Sequence, residues 1–323
     1  MSPAVRSQAC DVLDVSIVMV NWNAAQMTAR ALASISEHTR GVTFELIVVD
    51  NGSTRDDSAT MLPGRFPSIS FIANSWNMGF SAANNLGIAS ATGRYVLLLN
   101  NDTMQTEDAI SAAVRYMDGH PDVGALGIEH RNADAERSRQ GSTSAFPEPW
   151  RELRWLLGLP AATSDRGTAA AGDLERDVDW VTGSFLMIRR ACLDDVGVLD
   201  ERFFVYEEDI DWCRRAWNKG WKVRFWRGAS MMHIGAATRP FIRDKTFAHV
   251  RTHLTYLRKH HGGAAAALFY GVMVARLSAA TSWQTVKWMI GAAPLSHVRE
   301  RWQRQIDFAL LRSGRHGIER PPD

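Results

Sequence analysis

Short apolar runs, each closed by polar turn formers, alternate with stretches of helical spacing from Val15 to Ile128. Val15–Asn21 (Val-Ser-Ile-Val-Met-Val-Asn) is β-rich and too short for a helix, which predicts a buried strand. Residues 24–38 carry Ala, Leu and Ile at helical spacing. Phe44–Asp50 reads as a second strand stopped by Asn51-Gly52-Ser53, and Ser68–Ala73 as a third. A helix over 79–91 precedes a strand at Tyr95–Leu99 that ends in Asn100-Asn101-Asp102. A helix over Thr106–Met117 and a strand at Val123–Ile128 continue the alternation. The rhythm predicts an α/β fold, a mainly parallel sheet with helices on both faces.

The rhythm breaks over 129–178, a stretch rich in Arg, Ser, Gly, Ala and Pro with one apolar island at Trp150–Leu159. A long loop with a short helix, placed to cover something, is expected there. Strand character returns at Val178–Arg189, followed by a helix over 207–219 and a strand at Lys222–Trp226. From Asp244 to His261 the chain is helical and basic. Residues 264–290 contain only two charges, Arg276 and Lys287, which divide them into pieces too short to span a bilayer. With Trp283 and Trp288 they suit a helix lying in a membrane interface. A helical hairpin packed on the core is the alternative.

Composition adds two points. The 323 residues are 46% hydrophobic and 22% charged, enough for a full core in one large domain with an appendage. The net charge of +2 conceals a division. Residues 239–323 hold 14 Lys and Arg against 5 Asp and Glu, and the remainder is acidic. A basic tail on an acidic body points to an anionic partner, membrane lipid or nucleic acid; the absence of an aromatic–basic platform disfavours nucleic acid. Cys10, Cys192 and Cys213 fit neither a zinc spacing nor a disulfide framework, and residues 1–13 lack the apolar core of a signal peptide. Reduced thiols in a cytosolic compartment follow. The expected organisation is a flexible segment 1–13, a catalytic domain 14–242 and a basic amphipathic helical region 243–323.

Candidate chemistry gathers at the strand ends, where open α/β sheets bind ligands. Asn21-Trp22-Asn23, Asp50-Asn51-Gly52-Ser53, Asn100-Asn101-Asp102 and His233 all fall there. Taken singly, each has a plain reading as a turn, a helix entry or a buried histidine. No glycine-rich phosphate loop follows the first strand, which disfavours a dinucleotide dehydrogenase and a P-loop kinase. Phosphate charge would then need another counter-ion, and a divalent metal on Asp102 and His233, Mg²⁺ or Mn²⁺, would supply it. Tyr206-Glu207-Glu208-Asp209-Ile210-Asp211 packs four carboxylates between apolar anchors. Such a cluster holds a cation or removes a proton, or else is an acidic helix N-terminus favoured by the helix dipole.

Six motifs in order resemble glycosyltransferase family 2: Ser16–Asn23, Val48–Thr54, Asn77-Met78-Gly79-Phe80 with Asn84 and Gly87, Asn100-Asn101-Asp102, Val181–Arg190, and Asp200–Asp211. The resemblance runs from Val15 to His233. Within the family it looks most like the bacterial rhamnosyltransferase branch of cell-envelope polysaccharide and O-antigen synthesis. It implies a GT-A fold, Rossmann-like, with a C-terminal helical membrane-associating extension. It implies further that Asp50 contacts the nucleotide base and that Asn21, Gly52, Ser53, Asn77, Gly79, Asn84 and Asn101 form the nucleotide-sugar pocket. Asp102 and His233 become metal ligands, Asp209 the catalytic base, and Gly183 and Glu208 acceptor-site residues. The implied donor is a dTDP- or UDP-sugar, dTDP-L-rhamnose foremost. The implied acceptor is a lipid-linked saccharide, met by a peripheral enzyme on an anionic membrane surface, the inner face of the cytoplasmic membrane. Two departures stand out: Asn100 replaces the first Asp of the family's DXD, and an Ala-rich run, rather than one rich in Gly and Ser, follows His233. A nucleotidyltransferase of similar architecture and a non-catalytic membrane-binding protein are the rival readings.

Overall fold

A computed structural model describes residues 13–156, 158–159, 174–235, 245–292 and 294–309. Residues 1–12 with Cys10, and the Ala-rich run after Gly235, lie outside the described residues. In chain order the elements are β1 (Val15–Asn21), α1 (Ala25–His38), β2 (Phe44–Asp50), α2 (Ser58–Arg65), β3 (Ser70–Ala73), α3 (Phe80–Ser90) and β4 (Tyr95–Leu99). There follow β5 (Thr103–Met104), α4 (Ala109–Gly119), β6 (Val123–Arg131), β7 (Arg139–Gln140), β8 (Thr143–Ser144), α5 (Pro149–Leu156), β9 (Glu175–Asp177), β10 (Trp180–Val181) and β11 (Phe185–Arg189). The last are α6 (Arg190–Val196), α7 (Glu208–Asn218), β12 (Lys222–His233), α8 (Lys245–Met289) and α9 (Leu295–Ala309).

The main sheet has the order β3-β2-β1-β4-β11-β6-β12-β5. Its first four strands are parallel, and β11 then enters antiparallel to both β4 and β6. The sheet is therefore mixed, parallel in the half that the alternating pattern describes. Two-residue periodicity sorts the strands between two cores. Val15, Ile17, Met19, Leu97 and Leu99 face α1, α2 and α4, while Val18, Val96 and Leu98 face the side packed by α3, α6 and α7. Cys192 and Cys213 are buried and unpaired in the second core, and burial pushes the Cys192 thiol up to about 12. Both thiols are packing groups.

Helix α8 is one 45-residue element broken only at Gly262, where φ is 86°. It runs past Arg276 and Lys287, which corrects the expectation of pieces too short to span: Ala248–Met289 is long and apolar enough to cross a membrane by length and composition. Its first half belongs to the globule. Val250, Leu254, Tyr256, Leu257, Ala266 and Phe269 form a third core against Phe203. The second half pairs with α9, burying Thr281 and Val298, and leaves Trp283, Trp288, Met289 and Ile290 exposed around the turn between them.

Candidate active site

Parallel pairing of β1 and β2 sets Asn21 beside Asp50 at the carboxyl ends of both strands. Asn21 Nδ2 donates to Asp50 Oδ1 at 2.7 Å and to Ser53 Oγ at 3.2 Å, while Thr28 Oγ1 donates to Asn21 Oδ1 at 2.7 Å. Asp50 also accepts from the Ser53 N–H, the Ser53 hydroxyl and the Ser58 hydroxyl. Both residues are buried and their polar atoms are consumed internally. Gly52, at φ +72°, leaves no room for a Cβ, which would sit 2.4 Å from the Trp76 backbone; Gly79, at φ +92°, is pressed against Phe204 in the same way. Asn84 Nδ2 donates to the Phe80 carbonyl. None of Asn21, Asp50, Gly52, Ser53, Gly79 and Asn84 lines the cavity; the hydrogen bonds of Asn21, Asp50, Ser53 and Asn84 and the tight packing of Gly52 and Gly79 shape the turns beside it. Asn51, noted in the sequence only as part of its turn, is as buried as Asp50 but faces the cavity. It lines the cavity and donates to Asn77 Oδ1 at 2.9 Å.

The cavity encloses about 460 Å³ and gathers Asn51, Asn77, Asn101, Asp102, Gly183, Glu208, Asp209 and His233. Trp22, Phe80, Trp180, Phe204 and Tyr206 make its apolar walls. On one side, β5 pairs antiparallel with the end of β12, and the Ile234 N–H donates to the Asp102 carbonyl at 2.9 Å. That pairing brings His233 Nε2 to 3.3 Å from Asp102 Oδ1. Buried Asn100 Oδ1 has no hydrogen-bond partner beside them. His130 lies under His233 with ring centroids 5.6 Å apart, and burial pushes its pKa down to about 3, so it is neutral.

On the other side, Tyr206 (φ 73°) and Glu207 (φ 66°) take the left-handed conformation immediately before α7. That conformation is unfavourable for non-glycine residues and is held here by surrounding contacts. The Phe80 N–H and the Ser81 hydroxyl donate to the carbonyls of Phe204 and Phe203. Tyr206 stacks on His249 at 3.8 Å, and His253 Nδ1 lies 2.8 Å from Glu207 Oε1. Asp211 points away from the cavity to Arg215, Lys259 and His260 at 2.9, 2.6 and 2.7 Å. Burial alone would raise its pKa, but these partners hold it below the usual carboxylate range. Helix α8 therefore both lines the cavity, through His249, and clamps the acidic loop. Helical spacing could have placed these histidines on one face, but not opposite which acids.

A model of glycosyl transferase family 2 matches residues 16–197, more than half of the chain. The chain belongs to glycosyl transferase family 2. A relative in Mycobacterium tuberculosis, N-acetylglucosaminyl-diphospho-decaprenol L-rhamnosyltransferase, is 28% identical over 275 residues, covering 78% of this chain and 86% of that protein. The low-salt glycan biosynthesis hexosyltransferase of Haloferax volcanii is 27% identical and covers 63% of this chain and 61% of its own. A mannosyltransferase of Pyrobaculum calidifontis, solved with GDP-Man and Mn²⁺, superposes with a TM-score of 0.53 at 16% identity, over 94% of this chain and 86% of that one. Staphylococcus aureus TarS superposes equally well, at 0.53 and 16% identity, over 80% of this chain and 42% of its own. These likenesses establish a GT-A glycosyltransferase fold. The family match ends before α7, so Asp209 and His233 are placed by the structure and not by the matched segment.

In this glycosyltransferase the Asp209 carboxylate accepts the Gly183 N–H at Oδ2 and its neighbour Ile210 N–H at Oδ1, both at 2.8 Å. Burial raises its pKa, and these two hydrogen bonds only partly oppose the rise. Glu208 is raised well above its ordinary value, by burial and then by the charge of Asp209, and its Oε2 has no hydrogen-bond partner. A carboxylate made more basic in this way can accept a proton near neutral pH. The Asp102–His233 pair, with the orphaned Asn100 oxygen lining the same cavity, offers donor types that fit a divalent cation: one carboxylate, one imidazole and one neutral oxygen.

Proposed function

We propose that this glycosyltransferase transfers L-rhamnose from dTDP-L-rhamnose, with inversion, to a saccharide on a lipid diphosphate in cell-envelope polysaccharide synthesis. The observation that carries the reading is the single cavity with Asp102 and His233 on one side and the basic Asp209 on the other. Asp209 takes the proton of the acceptor hydroxyl as that oxygen attacks the anomeric carbon. The Gly183 and Ile210 N–H groups fix its carboxylate, and Glu208 keeps the acceptor side polar. A divalent cation, Mg²⁺ or Mn²⁺, held by Asp102 and His233 would offset the charge of the departing diphosphate. Asn77 and Asn101 line the cavity on the nucleotide side, while Asn51, bonded to Asn77, Gly79 and Met78, joins Asn21, Asp50, Gly52, Ser53, Gly79 and Asn84 in holding the wall. The aromatic walls exclude water, which favours transfer over hydrolysis. The name of the mycobacterial relative supports both the sugar and the carrier.

Measuring nucleoside diphosphate release from a panel of nucleotide sugars, with an N-acetylglucosaminyl polyprenyl diphosphate acceptor, tests this. The expected result is the highest turnover with dTDP-L-rhamnose. A clear preference for a UDP-hexose would overturn the donor.

The hairpin of α8 and α9 is the membrane contact in this reading. Trp283 is 61% exposed and Ile290 72% exposed, with Lys287 and Arg276 close by in sequence. Helix α9 carries Arg299, Glu300, Arg301, Arg304 and Asp307, which bars it from hydrocarbon and argues for resting on the cytoplasmic face over spanning. Full-length protein is expected to float with phosphatidylglycerol vesicles and to come off in alkaline carbonate. Trp283→Ala with Ile290→Ala should weaken flotation severalfold. Protein that stays with vesicles through carbonate would make α8 a spanning helix.

A further inference from the structure

We propose that Gln140 is a positioning residue for the cation site: its amide oxygen holds the proton of His233 on Nδ1, so that Nε2 presents a lone pair beside Asp102. The inference rests on the reading of Asp102 and His233 as the cation pair. His233 Nδ1 lies 2.6 Å from Gln140 Oε1, and the same ring's Nε2 lies 3.3 Å from Asp102 Oδ1. An amide oxygen can only accept, so this contact requires a proton on Nδ1. Neutral imidazole then leaves Nε2 bare, the state a metal needs. If the amide were turned to offer its NH₂ instead, Nε2 would carry the proton and donate to Asp102, closing the site. The competing acceptor is Asp102 Oδ1, 3.3 Å from Nε2, and the closer 2.6 Å contact with Gln140 favours the proton on Nδ1.

The fold builds this contact deliberately through the excursion after β6. Strand β7 pairs antiparallel with β6, setting Gln140 opposite His130 and Arg139 opposite Arg131. The intervening turn is closed by the Asn132 N–H donating to the Ser138 carbonyl at 2.8 Å and by Asn132 Nδ2 donating to Ser138 Oγ at 2.9 Å. Beyond Gln140 the chain continues into contact with the other half of the cavity. The Ser142 carbonyl accepts from the Thr182 N–H at 3.0 Å, and β8 pairs with β10 just before Gly183, the residue that holds Asp209. Residues 139–144 thus brace the cation side and the carboxylate side together. A stretch that reads as a covering loop in the sequence supplies a hydrogen bond to a ligand.

The test uses full-length protein labelled with ¹⁵N-histidine, with His233→Asn to assign the signal. In metal-free wild type, proton–nitrogen correlation spectra are expected to show His233 protonated at Nδ1 and bare at Nε2. Gln140→Leu should lose that preference and bind Mn²⁺, followed by electron paramagnetic resonance, about 10- to 100-fold more weakly. Gln140→Glu, which keeps an acceptor in place, should retain the tautomer and the affinity and controls for folding. A wild-type His233 protonated at Nε2, or a Gln140→Leu protein with unchanged tautomer and unchanged Mn²⁺ affinity, would overturn the proposal. Failure of the wild type to take up Mn²⁺ would instead overturn the cation reading beneath it, and the metal-free spectra separate the two failures.

Discussion

Asp209→Asn is expected to lower sugar transfer by about 10²- to 10⁴-fold, the usual cost of losing a general base, while donor binding persists. The carboxylate accepts one backbone N–H at each oxygen, from Gly183 and Ile210. An amide can satisfy only one of them and sets a donor against the other, so a loss of about 1 kcal/mol in stability accompanies the substitution. Thermal melting therefore separates the catalytic loss from unfolding. The pH profile gives a second readout. Burial raises the Asp209 pKa, so its protonated, inactive form survives to higher pH than an ordinary carboxylic acid. The acid limb of kcat/KM should lie above the normal carboxylate range, with activity rising as pH rises through it. The limb should vanish in Asp209→Asn. Near wild-type turnover in Asp209→Asn beside an inactive Glu208→Gln would transfer the role to Glu208.

Chelation is expected to produce a loss of comparable size. The nucleoside diphosphate leaving group carries charge that Asp102, itself an anion, cannot offset without a cation. Lewis-acid stabilisation is worth several kcal/mol, so EDTA should reduce turnover by at least about 10²-fold, with Mn²⁺ or Mg²⁺ restoring it. Asp102→Ala and His233→Ala should each raise the metal concentration needed for half-maximal rate. Undiminished transfer in chelator would leave Asp102 with its structural roles alone, the carbonyl bond to Ile234 and the contact with His233.

Much of this site was legible because it stands at strand ends. The lengths of β1, β2 and β4 follow from β-rich runs bounded by turn formers, and parallel pairing then delivers Asn51, Asn101 and Asp102 to one edge. The reversal of β11 was not legible, because alternation records which face a residue takes and not which way the strand runs. The closure of Asn21 and Asp50 depends on Thr28 and Ser58, helical hydroxyls whose reach no periodicity reveals. Asp211 reads as one more acid of the cluster, yet Lys259 and His260, some fifty residues on, turn it into an anchor. A short helix, α2, escaped notice because Pro63 and Gly64 lie within it.

Gly262 gives α8 a mechanical consequence. Before it, the helix is bolted to the catalytic loop through His249, His253, Lys259 and His260; beyond it, Ala266 and Phe269 return to the same core, Phe269 against the His253 ring, before the helix leads to the exposed hairpin. With φ at 86° and open space around its missing side chain, Gly262 redirects the helix at a bend that packing on both sides holds in place. On the proposed docking, a load on the hairpin would be carried through that shared core to Tyr206 and Glu207. The membrane would then act on the aim of the enzyme as a lever acts through a bent arm.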